Sequence, residues 1–193
     1  MMTSPTLILL DCQREHLRSS SEISIDGTEL VVARIRKLLV TARNSGWEVM
    51  HSHFRTPAPA VSIGNAPHAP IDSLKPLARE PVFLRSALSA YSDAAFERAV
   101  EQKAGSTCLL VGFSAPFSLL ATAFDAAARG HRLFVVPEAA GSSPVGARSA
   151  STVRDVAFDL IERLTQTVEW QDVFSTWVPP SDPEMYGKIG LAQ

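Results

Sequence analysis

Residues 107–130, TCLLVGFSAPFSLLATAFDAAARG, carry the pattern from which the fold is read. They open on an apolar run, 107–111, of a length suited to a buried strand, and Gly112 breaks it. Ser114, Ala115 and Pro116 mark a helix start, with Ser114 or Ala115 at the cap and proline early in the first turn. From Phe117 the apolar positions recur at helical spacing, at Phe117, Leu120, Ala121, Phe124, Ala127 and Ala128, until Gly130 ends the pattern. A strand that feeds directly into a helix N-terminus leaves backbone N–H groups aimed outward, a place for an anion or for charge developing in a reaction. Ser118 is the first-turn residue expected to point into that space.

The chain on either side repeats the strand-then-helix rhythm. Residues 6–10, TLILL, form an all-apolar run ending in Asp11, the mark of a central parallel strand with a polar residue at its carboxyl end. Residues 14–27 are polar and serine-rich. An amphipathic helix is expected over 28–44, with Leu30, Val31, Ile35, Leu38, Leu39 and Ala42 on its apolar side and Ser45-Gly46 at its end. Strands follow at 47–54 and 82–84. Between them the proline-rich segment 55–81 is longer than an ordinary connection, as segments covering a site or a subunit contact are. A helix over 92–103 is capped by Ser92 or Asp93. A fifth strand over 132–136 ends at Pro137-Glu138. A helix over 147–165 has Val153, Val156, Ala157, Leu160, Ile161 and Leu164 on one face, and a sixth strand is expected over 168–174. The tail, 178–193, is rich in proline and glycine and reads as extended.

This alternation implies an α/β fold: a single-domain, three-layer αβα sandwich of Rossmann-like type, with a mainly parallel, about six-stranded sheet and right-handed crossovers. Ligands of such sheets bind beyond the carboxyl ends of the strands, near the point where strand order reverses. The residues placed there are Asp11, His51 or His53, Arg85, the 112–118 turn and Glu138. His51 and His53 flank Ser52 on one strand, and only one of them is expected to face the site.

In 193 residues, 46% are apolar and 20% charged, the balance of a compact soluble chain, and a net charge of −2 gives no reason to expect nucleic acid or a membrane as partner. No apolar run approaches the roughly 20 residues needed to span a bilayer. The first residues, MMTSPTLILLDCQ, lack a basic leader and read as a strand rather than a signal peptide. Cys12 and Cys108 both lie at or within strands, which points to free buried thiols and a cytoplasmic setting.

Three ordered segments resemble the isochorismatase-like hydrolase superfamily, the cysteine hydrolases that include nicotinamidases and N-carbamoyl amidohydrolases. TLILLDCQREHL is similar to that family's first strand, which ends in a catalytic aspartate followed two residues later by glutamine, here Asp11 and Gln13. EPVFLRSALSAYSDAAF resembles the segment with a catalytic lysine four residues before Ser-Ala-Phe; here Ser89-Ala90-Tyr91 is the counterpart and Arg85 holds the lysine position. LLVGFSAPFSLLATAFDAAARGHRLFVVPEAAGS resembles the segment in which the nucleophilic cysteine follows a glycine by six residues and precedes Ala-Thr-x-x-Asp-Ala. Ala121-Thr122 and Asp125-Ala126 match that run, and Ser118 holds the cysteine position.

The resemblance implies catalytic positions at Asp11, Arg85 and Ser118, substrate contacts at Gln13, Tyr91, Ser114, Ala115 and His53, a small-molecule substrate, and a homo-oligomer. The two replacements change the chemistry. A thiol is ionised by a helix N-terminus and a nearby cation, whereas an alkyl hydroxyl needs a general base in contact with it. Arginine keeps its proton throughout, so Arg85 can grip a carboxylate, its own Asp11 or a substrate's, but cannot shuttle a proton. True isochorismatases of the superfamily lack the nucleophilic cysteine and cleave a vinyl ether through the aspartate as acid. In that pattern Asp11 is general acid or base, with Arg85 and Ser118 as binding or stabilising groups. Each residue also has a plainer role: Asp11 pairing with Arg85 at a strand end, Ser118 as a small helix residue, Ser114 as an N-cap. Metal-binding members use an Asp-x-His arrangement after the second strand, and His51-Ser52-His53 lacks the aspartate, so neither metal nor other cofactor is expected. A family member that has lost catalysis and binds a metabolite or a protein is the competing reading.

Overall fold

The structure, a computed structural model, describes residues 4–17, 25–55, 69–103 and 105–178. The elements run β1 (Thr6–Leu10), α1 (Ile25–Asn44), β2 (Glu48–Phe54), β3 (Val82–Arg85), α2 (Ala94–Glu101), β4 (Cys108–Gly112), α3 (Leu120–Ala128), β5 (Leu133–Ala140), α4 (Ala150–Ile161), β6 (Gln166–Thr167) and α5 (Trp170–Trp177). The six strands pair in parallel in the order β3-β2-β1-β4-β5-β6. Strand order reverses between β1 and β4, which places Asp11 and the β4–α3 turn side by side at the switch point. The extended tail expected at 178–193 lies outside the described residues apart from Val178, as do residues 56–68 of the proline-rich segment.

Helices cover both faces. On one, Ile8, Leu10, Met50, Phe83, Leu110 and Val135 meet Phe96 of α2, Leu119, Ala123 and Ala126 at and in α3, and Ala157, Phe158 and Ile161 of α4. On the other, Leu7, Leu9, Val49, Leu109, Val111 and Val136 meet Ile35, Leu38, Leu39 and Ala42 of α1 and Val173 of α5. The central strands β1 and β4 are buried at every position, which is why their sequences are continuous apolar runs rather than alternating ones.

Three expectations change. Residues 168–174 are not a strand: β6 is the two-residue Gln166–Thr167, and the aromatic segment after it is α5. Trp170, Val173, Phe174 and Trp177 fall at i, i+3, i+4 and i+7, a helical period hidden by a β-branched and aromatic composition. The face of α3 also differs. Leu119, Thr122, Ala123 and Ala126 turn to the sheet with Leu120 partly buried beside them, while Phe117 and Phe124, the aromatic residues of the expected apolar stripe, are 48% and 59% exposed. An alanine-rich helix carries two apolar faces, and the bulkier one is outside. β5 runs past its expected end at residue 136 because its pairing with β4 shifts between Leu110 and Gly112, and Pro137 falls in the shifted stretch.

The β1–β4 seam is drawn tight at its carboxyl end. Gly112 has φ +127°, and a Cβ built there would sit 1.9 Å from Leu10 O. The next residue, Phe113, donates its N–H to that same carbonyl at 2.8 Å. Gly112→Ala is therefore expected to cost at least about 3 kcal/mol, combining a forbidden φ with a backbone clash. Gly130→Ala has open space at φ +69° and should cost about 1 kcal/mol. Urea unfolding of the two variants checks the contrast, and equal losses would refute the close approach at Gly112.

Candidate active site

The carboxyl ends of β1, β2 and β3 converge on one ion pair. Arg85 Nη1 donates to Asp11 Oδ1 and Nη2 to Oδ2, both at 2.8 Å, and both side chains are buried. Phe54 N donates to the same Oδ1 at 2.8 Å, and its ring lies 5.6 Å from the guanidinium carbon. Asp11 thus receives two charge-assisted bonds in bidentate geometry plus a backbone donor, which balances the cost of burying its charge. The backbone is what allows it. Asp11 has φ +48°, a left-handed conformation that aspartate tolerates better than most residues. This turn breaks the strand's alternation: Cys12 joins the cluster of Leu7 and Leu9, the face that alternation would give to Asp11. Cys12 is wholly buried, and burial, followed by the Asp11 charge, pushes its thiol far above the usual range. Cys108 is likewise pushed up to about 11 by burial, so neither thiol is a nucleophile at neutral pH.

Gln13 clamps the end of β2. Its Oε1 accepts from Phe54 N at 3.0 Å and its Nε2 donates to Phe54 O at 3.0 Å. A strap of residues 69–74 closes over this edge through the Gln13–Pro70 bridge, Ile71 N to Cys12 O and a bidentate Arg14–Asp72 pair.

The β4–α3 turn is less open than a free helix start. The Phe113–Ser114 peptide is cis, and one turn of π-helix, Ala115–Leu119, precedes α3. Ala115 N donates to Gly141 O, Phe117 N and Leu119 N both donate to Ser114 O, and Pro116 has no N–H. The outward N–H groups expected here are largely spent inside the turn. Ser114 occupies the cap position, but its hydroxyl caps nothing and is buried without a partner among the described residues. Ser118 is buried on the same helical face as Thr122, whose Oγ1 accepts from Ala90 N at 3.0 Å. Among the described residues no carboxylate or imidazole meets the Ser118 hydroxyl, so the base a serine nucleophile requires is not in contact with it.

His51 and His53 lie on the same face of β2, with ring centroids 6.0 Å apart, contrary to the expectation that only one could face that way. Residues two apart on a strand share a face by its period of two. They differ in depth. His51 Nε2 is 3.0 Å from Glu80 Oε2, and Glu80 is also held by Arg43 and Leu77 N. Burial opposes the Glu80 charge, but those bonds prevail and hold its carboxyl down at about 2. His53 sits toward Asp11 and Arg85; burial, and then His51 beside it, push it down to about 4. Tyr91 is placed elsewhere: it packs edge-on against Phe96, and its hydroxyl is 2.9 Å from His131 Nδ1, beyond the far end of α3. Glu138 Oε2 accepts from Trp170 N at the start of α5.

Sequence reasoning missed His16. It stacks on Phe113 at 5.0 Å with a 9° interplanar angle, and Phe113 in turn fits against Gly141, where a Cβ would lie 2.1 Å from the ring. His16 therefore helps fix the turn that carries Ser114 and Ser118. No periodic pattern marks it, since it lies in a short 3-10 turn, Arg14–Leu17. Among the described residues no group of histidine, cysteine, aspartate and glutamate could hold a metal ion.

Comparison with known proteins agrees with this frame. Residues 5–171 match the isochorismatase domain. The chain belongs to the isochorismatase family. A secreted isochorismatase effector of Verticillium dahliae is 25% identical over 178 residues, covering 91% of this chain and 88% of that protein. An isochorismatase from Pseudomonas putida superposes with a TM-score of 0.73 at 21% identity, covering 88% of this chain and 89% of that one. An isochorismatase-like hydrolase from Alkaliphilus metalliredigens gives 0.76 at 13% identity, covering 91% and 99%. At these identities the solved structures establish the shared fold. No helix among the described residues is long and apolar enough to cross a membrane.

Two outcomes follow from the site's electrostatics. Arg85→Met leaves Asp11 buried without its cation and should cost about 3–5 kcal/mol, and adding Asp11→Asn should recover much of that loss. Urea unfolding of the four proteins of this cycle measures the coupling, and strict additivity would show that the pair is not the buried unit described. The second outcome concerns acid. His16, His51 and His53 are all held below the ordinary 6.5, burial being the largest cause for each. From pH 6.5 downward the unfolded chain binds protons that the folded chain refuses. Stability should therefore fall as pH drops toward 4, by at most about 1.4 kcal/mol per pH unit for each histidine. Below pH 4.5 the loss of the Glu80 charge takes over. Unfolding free energies flat between pH 7 and pH 4.5 would contradict the buried neutral imidazoles.

Proposed function

We propose that this chain hydrolyses a small polar molecule at the carboxyl edge of its sheet, without a covalent enzyme intermediate. Asp11 serves as the working carboxylate, Arg85 holds it, and Ser118 contributes to binding or water placement. The observation that carries this reading is the Asp11–Arg85 pair. Oδ1 already accepts from Arg85 and Phe54, whereas among the described residues Oδ2 accepts from Arg85 alone and retains capacity for a substrate proton or a water. Putting a proton on Asp11 forfeits one of two charge-assisted bonds, so its resting role is that of a proton acceptor. A return of that proton to the leaving group completes the acid half of the cycle.

Further support comes from polar capacity left unspent at this edge. Ser52 Oγ, His53 Nε2, Arg85 Nε and Ser114 Oγ are buried without a partner among the described residues, and they stand at the ends of the neighbouring strands β2 and β3 and in the β4–α3 turn. Unpaired polar groups are expensive in a core, and their concentration at the ligand edge suits a substrate of amide, urea, carboxylate or vinyl ether type. His53, kept neutral, offers an uncharged hydrogen-bonding surface beside the pair.

The same bidentate contact favours a second reading. A carboxylate with both oxygens engaged suits a scaffold that binds a metabolite without turning it over. Turnover separates the two. A panel of amides, ureas and vinyl ethers is assayed with wild type, Asp11→Asn and Ser118→Ala. Asp11→Asn should lose at least ~100-fold in kcat/KM, while Ser118→Ala stays within about 10-fold. If wild type is no more active than Asp11→Asn on every compound, the binding-module reading replaces the hydrolase. If Ser118→Ala falls as far as Asp11→Asn, the non-covalent assignment is wrong.

A further inference from the structure

We propose that a cavity at the amino edge of the sheet, remote from Asp11, binds a small organic anion of the aromatic monocarboxylate class. The cavity measures about 330 Å³ and sits where β2 and β3 begin and where α1 and α2 end. Parallel pairing puts these ends opposite the carboxyl edge, and the length of β2, at about 3.3 Å per residue, separates the two edges by roughly 20 Å. At ~30 Å³ for each water-sized group, the space suits a molecule of about ten non-hydrogen atoms. Its floor is apolar, since Trp47, Val49, Met50 and Phe83 line it and all four are buried. Two aromatic rings and a thioether favour an aromatic guest.

The charge around this floor is unbalanced. Three cations, Arg43, Arg79 and Lys103, stand against two carboxylates, Glu48 and Glu80. Two of the cations already have partners. Arg43 grips Glu80 through two bonds of 2.8 Å, and Lys103 pairs with Glu48. Arg43 also lies in the last turn of α1 and Lys103 just beyond α2, where positive charge answers the helix dipole. Arg79 has neither role. It stands at no helix end, and among the described residues it meets no carboxylate. Its guanidinium keeps its proton at every accessible pH. One surplus cation beside an apolar floor selects one anionic group on an apolar body.

The backbone that carries Arg79 is fixed in advance. Glu80 N donates to Leu77 O at 2.9 Å, and Leu77 N donates to Glu80 Oε2 at 2.9 Å, which closes a turn around Ala78 and Arg79. The Glu80 carboxylate is buried and is held as well by Arg43 of α1 and His51 of β2. Arg79 therefore rides on a turn locked to a helix and a strand, and less ordering is left for a ligand to impose. The clamp on Glu80 takes no part in the hydrolysis proposed for the carboxyl edge. Presenting Arg79 to the cavity gives it a use, and this second site stands whether or not the Asp11 edge is catalytic.

Benzoate is the probe. It is titrated into the full chain near neutral pH by calorimetry, and the indole N–H of Trp47, identified with Trp47→Phe, is followed in proton–nitrogen correlation spectra. Benzoate should bind with a Kd of about 1 mM or tighter and shift that resonance. Benzamide has the same shape without the charge, and acetate has the charge without the ring. Each should bind at least ~10-fold more weakly than benzoate. Arg79→Gln should weaken benzoate at least ~10-fold. Arg79 is exposed, so this variant removes a charge and leaves the core intact. Absence of benzoate binding up to ~10 mM overturns the proposal. So does benzamide binding as tightly as benzoate, and so does an affinity that Arg79→Gln leaves unchanged or a Trp47 resonance that saturating benzoate does not move.

Discussion

A single buried ion pair organises the carboxyl edge of this protein. Asp11 ends β1 and Arg85 ends β3, with β2 between them, so their bond crosses a strand that neither belongs to. It can do so because Asp11 leaves the strand in a left-handed turn and because Phe54, at the end of the intervening strand, donates its own N–H into the pair. The three strand ends are thereby fixed relative to one another by charge-assisted bonds, at the level where the β4–α3 turn arrives on the other side of β1. Tight approach at Gly112 sets that side. Phe113, held between His16 and Gly141, carries the constraint on to Ser114.

Arginine at position 85 gives this constraint a chemical consequence. A lysine presents a point charge that can swing between an aspartate and a neighbouring group and can lose its proton when desolvated. The guanidinium instead spans both oxygens of Asp11 and keeps its charge. The carboxylate is therefore positioned more rigidly. In the hydrolysis proposed above it enters the cycle as the proton acceptor. The same proposal gives Ser118 a binding role, since among the described residues its hydroxyl has no contacting base and hence no route to an alkoxide.

Much of this was legible in the sequence, for identifiable physical reasons. β1 and β4 are flanked by strands on both sides and covered on both faces, so they are uninterrupted apolar runs that read as central strands. Asp11 and Arg85 stand at strand ends, where topology alone directs them to one edge. Composition misled where it competed with spacing. At 168–174 the valine and aromatic content suggested a strand although the large residues recur with a helical period. In α3 the alanines that face the sheet are too small to announce themselves beside Phe117 and Phe124. The clamp on Glu80 was beyond reach for another reason: His51 and Arg43 lie 29 and 37 residues away in sequence, and only the packing of α1 against the end of β2 brings them together.

The histidines add a constraint that the ion pairs alone do not reveal. β2 carries His51 and His53 on one face, with Arg43 and Glu80 near one end and Arg85 and Asp11 at the other. Each cation along this line already has its carboxylate. Among the described residues a proton added to His53 would find no anion unclaimed, only the Asp11–Arg85 pair at one side and His51 at the other, and burial would oppose its charge. Burial keeps both imidazoles neutral, and the neighbouring carboxylates, each already paired with an arginine, do not reverse it. Near neutral pH His53 is therefore an uncharged donor or acceptor beside the pair, and the hydrolysis proposed above assigns its proton transfer to Asp11.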